Sequence, residues 1–472
     1  MPPRATADDG AATFSRRVPL IVAAAFFMEM LDSTIVATAL PAIAQSLGEP
    51  TLRLTSSITV YLVAMAVFVP AAGWASARFG ARNLFATAVG AFTLASLLCG
   101  LSPNLYTLLG ARLLQGAAAA FMSPVGRLVV LREAPKHRII DAIALIVWPA
   151  LIAPVIGPPL GGFITTYASW RWIFLINVPL GIVGVLLVLR FVPRHEKETP
   201  ARLDIRGFIL TAVALATLIQ GLALVAARAG DEFAGGAYIM IGIATGIAAV
   251  RHALRHPSPM LDLSAVRVPT FALSTISAGL LARIAISMTP FLLPLMFQIG
   301  FGATAFEAGM MLLVYMAGNL AMKSATTPIL RRYGFRNVLV VNGILCTAAL
   351  VACGLLSPSV PRAVAYVVLF VAGLTRSMNF TCTATLAFAD VPGALRPGAT
   401  TLASMAQQTA GALGVALAAL ALGAFLATRG GAQLALADFQ HALFAAGGLM
   451  ALAVVWMLRL PTDAGAELSQ RP

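Results

Sequence analysis

"RFGARNL", residues 78–84, returns as "RYGFRNV" at residues 332–338. Arg78, Gly80, Arg82 and Asn83 align with Arg332, Gly334, Arg336 and Asn337. Each copy is a short polar turn between two long apolar runs. The same displacement carries the first apolar run of the chain onto the ninth. Same-orientation repeats related by an axis along the membrane normal are a transporter architecture. The repeat therefore predicts two halves of six helices each, with an extra helix pair between them.

Composition agrees with a membrane chain. The 472 residues are 59% hydrophobic and 11% charged, with mean hydropathy +0.89. Soluble domains carry about 25% charged residues and about 45–50% apolar ones. A helix crossing a bilayer needs about 20 mostly apolar residues. Runs of that kind fall near 18–42, 57–77, 84–101, 105–127, 141–165, 171–190, 207–227, 235–250, 270–298, 307–323, 336–356, 363–389, 397–425 and 441–459. The expected fold is an all-α polytopic membrane protein with about 14 transmembrane helices. Its expected divisions are a tail 1–17, a first bundle 18–192, a linker with the inserted pair 193–267, a second bundle 268–460 and a tail 461–472.

The net charge of +14 points to topology and not to nucleic acid, because the basic residues sit in short loops and form no single patch. With a cytoplasmic N-terminus, the tails and loops on that side hold 24 of the 32 Lys and Arg. Arg127, Arg132, Lys136 and Arg138 share one such loop. The opposite loops hold five: Arg53, Arg171, Arg228, Arg362 and Arg429. This asymmetry supports the even span count and places both termini in the cytoplasm. The apolar stretch after Arg16-Arg17 continues past two acids into more membrane sequence, so it reads as an uncleaved first span and not a secretory signal. All four cysteines fall in apolar runs, with no Cys/His metal spacing. No metal site is expected.

The first span, "FFMEMLDSTIVATALPAI" (26–43), holds Glu29 and Asp32 near its middle. They are three residues apart and share a helix face. A carboxylate at the bilayer centre costs about 2.5–3.5 kcal/mol on insertion scales, which is tolerated mainly beside a polar cavity or a partner. At about 1.5 Å rise per residue, Arg112 lies at a depth comparable to Asp32. A carboxylate balanced between desolvation and a neighbouring arginine can take up and release a proton. Asp32 with Arg112 is thus the expected proton-coupling pair, and Glu29 is free to meet a cationic substrate. Arg283 and Arg376 also lie inside spans, with no acid in their own half. They are expected either to face Glu29 across a central cavity or to meet anionic groups of a substrate. Phe26, Phe27, Met28, Met30, Met288, Phe291, Met296 and Phe297 are candidates for an adaptable pocket, a role their use in core packing also explains.

These residues resemble the major facilitator superfamily, in particular its 14-span drug:proton antiporter branch, the EmrB/QacA type. "LDSTIVATALPAI" (31–43) resembles that branch's first-helix signature, and "ARLLQGAAAA" (111–120) its fourth-helix motif with Arg112, Gln115 and Gly116 in place. "APVIGPPLGG" (153–162) resembles its fifth-helix antiporter motif, and "SWRWIFLINVPLGI" (169–182) is similar to the branch as well. The resemblance implies that Asp32 is the coupling acid, that Arg112 takes part in coupling, and that Gln115 contributes to substrate binding. Gly157, Pro158, Gly161 and Gly162 would form a close, bendable helix contact. Gly73, Arg78, Gly80 and Arg82, with Arg332 and Gly334 in the second copy, would form a conformational gate. "GWASARFG" (73–80) departs from the family at one point: Ala77 stands where an aspartate is expected.

The function implied is proton-coupled efflux of small amphipathic compounds or drugs by alternating access, with no cofactor beyond the proton gradient. Its partners are a small-molecule substrate, protons and the lipid bilayer; any accessory efflux component stays unnamed. The alternative is a transporter of a specific, possibly anionic, metabolite that uses Arg283 and Arg376. A membrane-embedded enzyme is the remote alternative. It would need nucleophile, acid/base or metal groups clustered at one face, and the five histidines show no triad-like spacing. No phosphate-binding loop of the Gly-x-x-x-x-Gly-Lys-Ser/Thr kind is present, which excludes ATP as the energy source.

Overall fold

The computed structural model describes residues 16–135, 138–194, 203–227, 232–431, 433–461 and 464–465. Lys136, Lys197, Arg202, Arg228, His137 and His195 lie outside the described residues, as do most of both tails. Fourteen helices among them are long and apolar enough to cross a membrane: α1 Arg17–Leu47, α2 Thr51–Phe79, α3 Ala81–Leu101, α4 Leu105–Glu133, α5 Asp141–Tyr167, α6 Trp172–Phe191, α7 Ile205–Ala226, α8 Phe233–Arg255, α9 Pro269–Gly300, α10 Ala305–Tyr333, α11 Phe335–Gly354, α12 Arg362–Ala389, α13 Gly393–Thr428 and α14 Leu436–Met457. The chain is a multi-pass membrane protein. A helix satisfies its own backbone hydrogen bonds, which hydrocarbon cannot do. Several helices overrun their apolar windows. The 31 residues of α1 exceed, at about 1.5 Å each, the roughly 30 Å hydrocarbon core. Helix ends are therefore fixed by caps and loops. Asn104 caps α4 by accepting the Thr107 N–H at 3.0 Å, and Thr304 with Glu307 forms a capping box on α10.

The helices pair twice in the same pattern. In the first half α1 packs on α5, α4 on both α2 and α3, and α6 on α3. In the second half α9 packs on α13, α12 on both α10 and α11, and α14 on α11. The halves meet along two equivalent seams, α5 with α10 and α2 with α13. The inserted pair α7–α8 leans on α2 and α13 through α7. The repeated turn is built alike in both copies. Gly80 has φ 84° and Gly334 φ 76°, a region that L side chains disfavour. Arg82 Nη2 donates to the Leu189 carbonyl at the end of α6. Its counterpart Arg336 Nη2 donates to the Leu458 carbonyl at the end of α14, at 3.2 Å. Both arginine staples stay inside their own half, and Arg78 and Arg332 are exposed.

One end of the molecule carries the residues nearest the two termini; the opposite end is called distal. The halves are sealed distally. A Cβ on Gly162 of α5 would come within 2.2 Å of the Ala305 carbonyl oxygen of α10, and one on Gly309 within 2.4 Å of the Pro158 carbonyl. The Phe306 N–H donates to Thr166 Oγ1 at 3.1 Å, and Gln298 Nε2 to the Thr38 carbonyl at 3.0 Å. Phe306 also stacks edge-on against Phe163 and Tyr167, each 6.0 Å away. Helix α1 is enclosed by α2, α4, α5, α6 and α9, yet Leu20, Ala24, Phe27, Met30 and Thr34 are accessible. Their spacing of three to four residues marks one helix face. That accessible stripe stops at Ile35, and Ile35–Leu40 are all buried. A cleft between the halves thus opens toward the terminal end and closes distally.

Candidate functional site

Asp32 is 1% exposed and saturated with donors. Arg112 Nη1 donates to its Oδ2 at 2.6 Å. Gln115 Nε2 and Asn177 Nδ2 donate to Oδ1 at 2.8 and 3.1 Å. The guanidinium is fixed from other sides as well. Arg112 Nε donates to the Ser57 carbonyl at 3.1 Å and Nη1 to Gln115 Oε1 at 2.7 Å. The centre of the Tyr61 ring lies 4.2 Å from its Cζ. Ser96 Oγ accepts from Gln115 Nε2 at 2.8 Å. Five helices, α1, α2, α3, α4 and α6, converge on this one carboxylate. A buried ion pair is tolerable only with such supporting bonds, because desolvating both charges is expensive.

Glu29 lies one turn toward the terminal end and is equally buried, at 1% exposure. Its surroundings are different. Oε2 accepts from Ser123 Oγ of α4 at 2.8 Å, and Oε1 has no hydrogen-bond partner. The two acids thus share the α1 face that looks at α4, as their spacing predicts. One is held by an arginine; the other meets a single hydroxyl.

The structure brings Asp32, Arg112 and Gln115 together. Gln115 is fully buried and spends its amide on Asp32, Arg112 and Ser96, so it presents no surface to a substrate in this conformation. Arg283 does not meet Glu29. Its Nε and Nη1 have no partner, although it is only 4% exposed. Arg376 of α12 sits between the rings of Tyr315 and Phe380, each 5.6 Å away, with Nη1 3.7 Å from Met316 Sδ. Gly157 and Gly161 of α5 press on α1, where a Cβ would strike Thr34 Oγ1 and the Ile35 side chain. Of the candidate pocket residues, Phe27 and Met30 line the cleft, while Phe26, Met28, Met288, Phe291, Met296 and Phe297 are core.

Sequence reasoning missed Asn177, Ser96, Ser123 and Lys323. Asn177 had a visible signal, a lone amide inside "IFLINVPLGI". Lys323 reads as a loop cation at the end of the tenth run, but α10 continues through Tyr333. The lysine therefore projects from mid-helix and donates to Thr381 Oγ1 of α12 at 2.9 Å.

The family model for the Major Facilitator Superfamily matches residues 22–415. A protein of Pectobacterium carotovorum subsp. carotovorum named "Putative multidrug resistance protein MdtD" is 39% identical over 405 residues, 86% of each chain. The protein of the same name from Citrobacter koseri is 37% identical over 461 residues, 96% of each chain. Among solved structures, a D-xylose-proton symporter superposes with TM-score 0.68 at 14% identity, covering 96% of this chain and 99% of that one. A bacterial homologue of the lysosomal transporter Spinster, inward-facing, gives TM-score 0.66 at 14% identity, covering 97% and 99%. At those identities the structural likenesses speak for the fold alone. The doubled helix pairing, the family match across the spans and the curated relatives converge on one conclusion: this chain belongs to the Major Facilitator Superfamily.

Proposed function

We propose that this transporter exports small amphipathic compounds, drugs among them, from the cytoplasm in exchange for protons. Multidrug resistance is in the names of its curated relatives. The observation that carries the proton coupling is the contrast between the two buried acids. Asp32 is an anion tied to a guanidinium. Glu29 has one oxygen without any partner, an arrangement costly for a charged carboxylate and cheap for a neutral one. Glu29 is therefore our proton carrier, in place of the Asp32 that sequence reasoning favours. The Asp32–Arg112 pair beneath it holds the first half together and sets the local field. Met30, Ser33 and Thr34 lie on or beside the accessible stripe, so a substrate in the cleft reaches Glu29's turn of α1.

The lysine and arginine asymmetry supports cytoplasmic termini in an inner membrane, which makes the terminal opening an inward-facing one. Alternating access would rock the two bundles, 18–192 and 268–460, about the α5–α10 and α2–α13 seams. The gate residues named above would act at its two ends. The reading needs no cofactor and no enzyme chemistry. The second reading, export of an anionic compound, gains support from Arg376 and Lys323, which bond to Met316 Sδ and Thr381 Oγ1 and to no acid among the described residues.

Everted membrane vesicles holding the protein, with the internal acid gradient followed by a quenched dye, test the proposal. Lipophilic cations and anions are added in turn. A substrate is expected to dissipate the gradient with wild type and not with Glu29→Gln, which mimics the protonated acid. Equal dissipation by both would move the proton to another group. Failure of every compound with wild type would remove drug antiport, and response to anions only would favour the second reading.

A further inference from the structure

Away from the cleft, at the terminal end, the inserted pair assembles three metal-type ligands. His252 sits in the last turn of α8, and His256 follows one turn later, its N–H bonded to the His252 carbonyl at 2.9 Å. Two histidines at i and i+4 share a helix face, and their rings stand 5.1 Å apart. Asp204 arrives from the start of α7. Its Oδ1 caps that helix by accepting the Gly207 N–H at 2.9 Å and lies 2.8 Å from His252 Nε2. Its Oδ2 accepts the Met260 N–H at 3.3 Å, from the segment leading to α9. One ligand atom from each of the three residues lies within 4.8 Å of the others.

We propose that Asp204, His252 and His256 form a binding site for a late first-row divalent ion of the zinc class. Two imidazoles and one carboxylate are a donor set such ions prefer. Ligand bonds of about 2.0–2.2 Å around zinc put ligand atoms about 3.4 Å apart, so the Asp204–His252 contact opens slightly and the wider separations close by roughly 1 Å, which side-chain rotation supplies. The Gly207 and Met260 N–H groups orient the carboxylate as outer-shell partners of a metal ligand do. Both histidines, with Arg251 and Arg255, line a cavity of about 480 Å³ beside the cluster. With two guanidinium groups on that rim, the fourth ligand is an anion or hydroxide. The bound ion would tie the start of α7, the end of α8 and the connection into the second half at one point. This site is independent of the transport proposal.

The test uses the full-length protein, purified without a polyhistidine tag, stripped with chelator and titrated with Zn²⁺ against a fluorescent zinc indicator. One equivalent per chain is expected, with affinity in His256→Ala reduced by more than the roughly 10- to 100-fold that loss of an outer-shell partner costs. The His256 ring accepts one weak hydrogen bond, from the Ser258 N–H at 3.3 Å, and its backbone bond to His252 survives substitution, so the variant should melt like wild type without metal. His441→Ala, on α14, should bind like wild type. Co²⁺ should give visible absorption bands that His256→Ala loses. Absence of zinc binding, or equal affinity in wild type and His256→Ala, would overturn the site.

Discussion

At the scale of the residue, the two acids of α1 behave as different chemical objects because of their donors. Asp32 receives three, one of them a guanidinium; Glu29 receives one hydroxyl. Replacing Asp32 alone strands a buried arginine, a loss of about 3–5 kcal/mol. Asp32→Asn and Arg112→Leu are each expected to lower the melting temperature in detergent sharply. The double variant should recover part of the loss, because no unpaired charge remains. Single variants that melt like wild type would show that the pair contributes little. Glu29→Gln keeps the acceptor for Ser123, so it should melt close to wild type while losing coupling.

At the scale of the element, α5 is packed between α1 and α10. Pro149, Pro154, Pro158 and Pro159 each remove a backbone donor from it, and Gly157, Gly161 and Gly162 let its backbone touch both neighbours. The closest of these contacts joins the halves: Gly162 against the Ala305 carbonyl. A side chain there meets backbone that cannot step aside. Gly162→Val is therefore expected to prop the distal seam open and to raise the labelling rate of a cysteine placed at Thr166. An unchanged rate would mean that the seam closes elsewhere along α10.

At the scale of the whole molecule, the repeated pairing of helices makes the two seams mechanically equivalent, so the halves can rock as units. The terminal end is open and its arginine staples, Arg82 and Arg336, bind only within their own halves. The gate loop lacks the acid that the family resemblance leads one to expect, since Ala77 occupies its place. Ala77→Asp should place a carboxylate in the basic gate loop and stabilise the outward-facing state. Cysteines along the terminal cleft would then label more slowly; unchanged labelling would count against that role.

The sequence by itself determined the fourteen spans and their repeat. Span length is set by bilayer thickness, and the positive φ of Gly80 and Gly334 is a local demand that only glycine meets easily. The signature around Asp32 and Arg112 likewise named two residues that do pair. Only the tertiary structure decided which acid keeps an oxygen without a hydrogen-bond partner. That depends on Ser96, Ser123 and Asn177, brought in from α3, α4 and α6, and hydropathy carries no information about such partners. It also decided which end of the cleft is sealed, that Lys323 stands inside α10, and that Asp204 joins His252 and His256. Hydropathy is a property of one segment averaged over its neighbours in the chain. Hydrogen-bond partners and closure are properties of side chains that meet only after the helices pack.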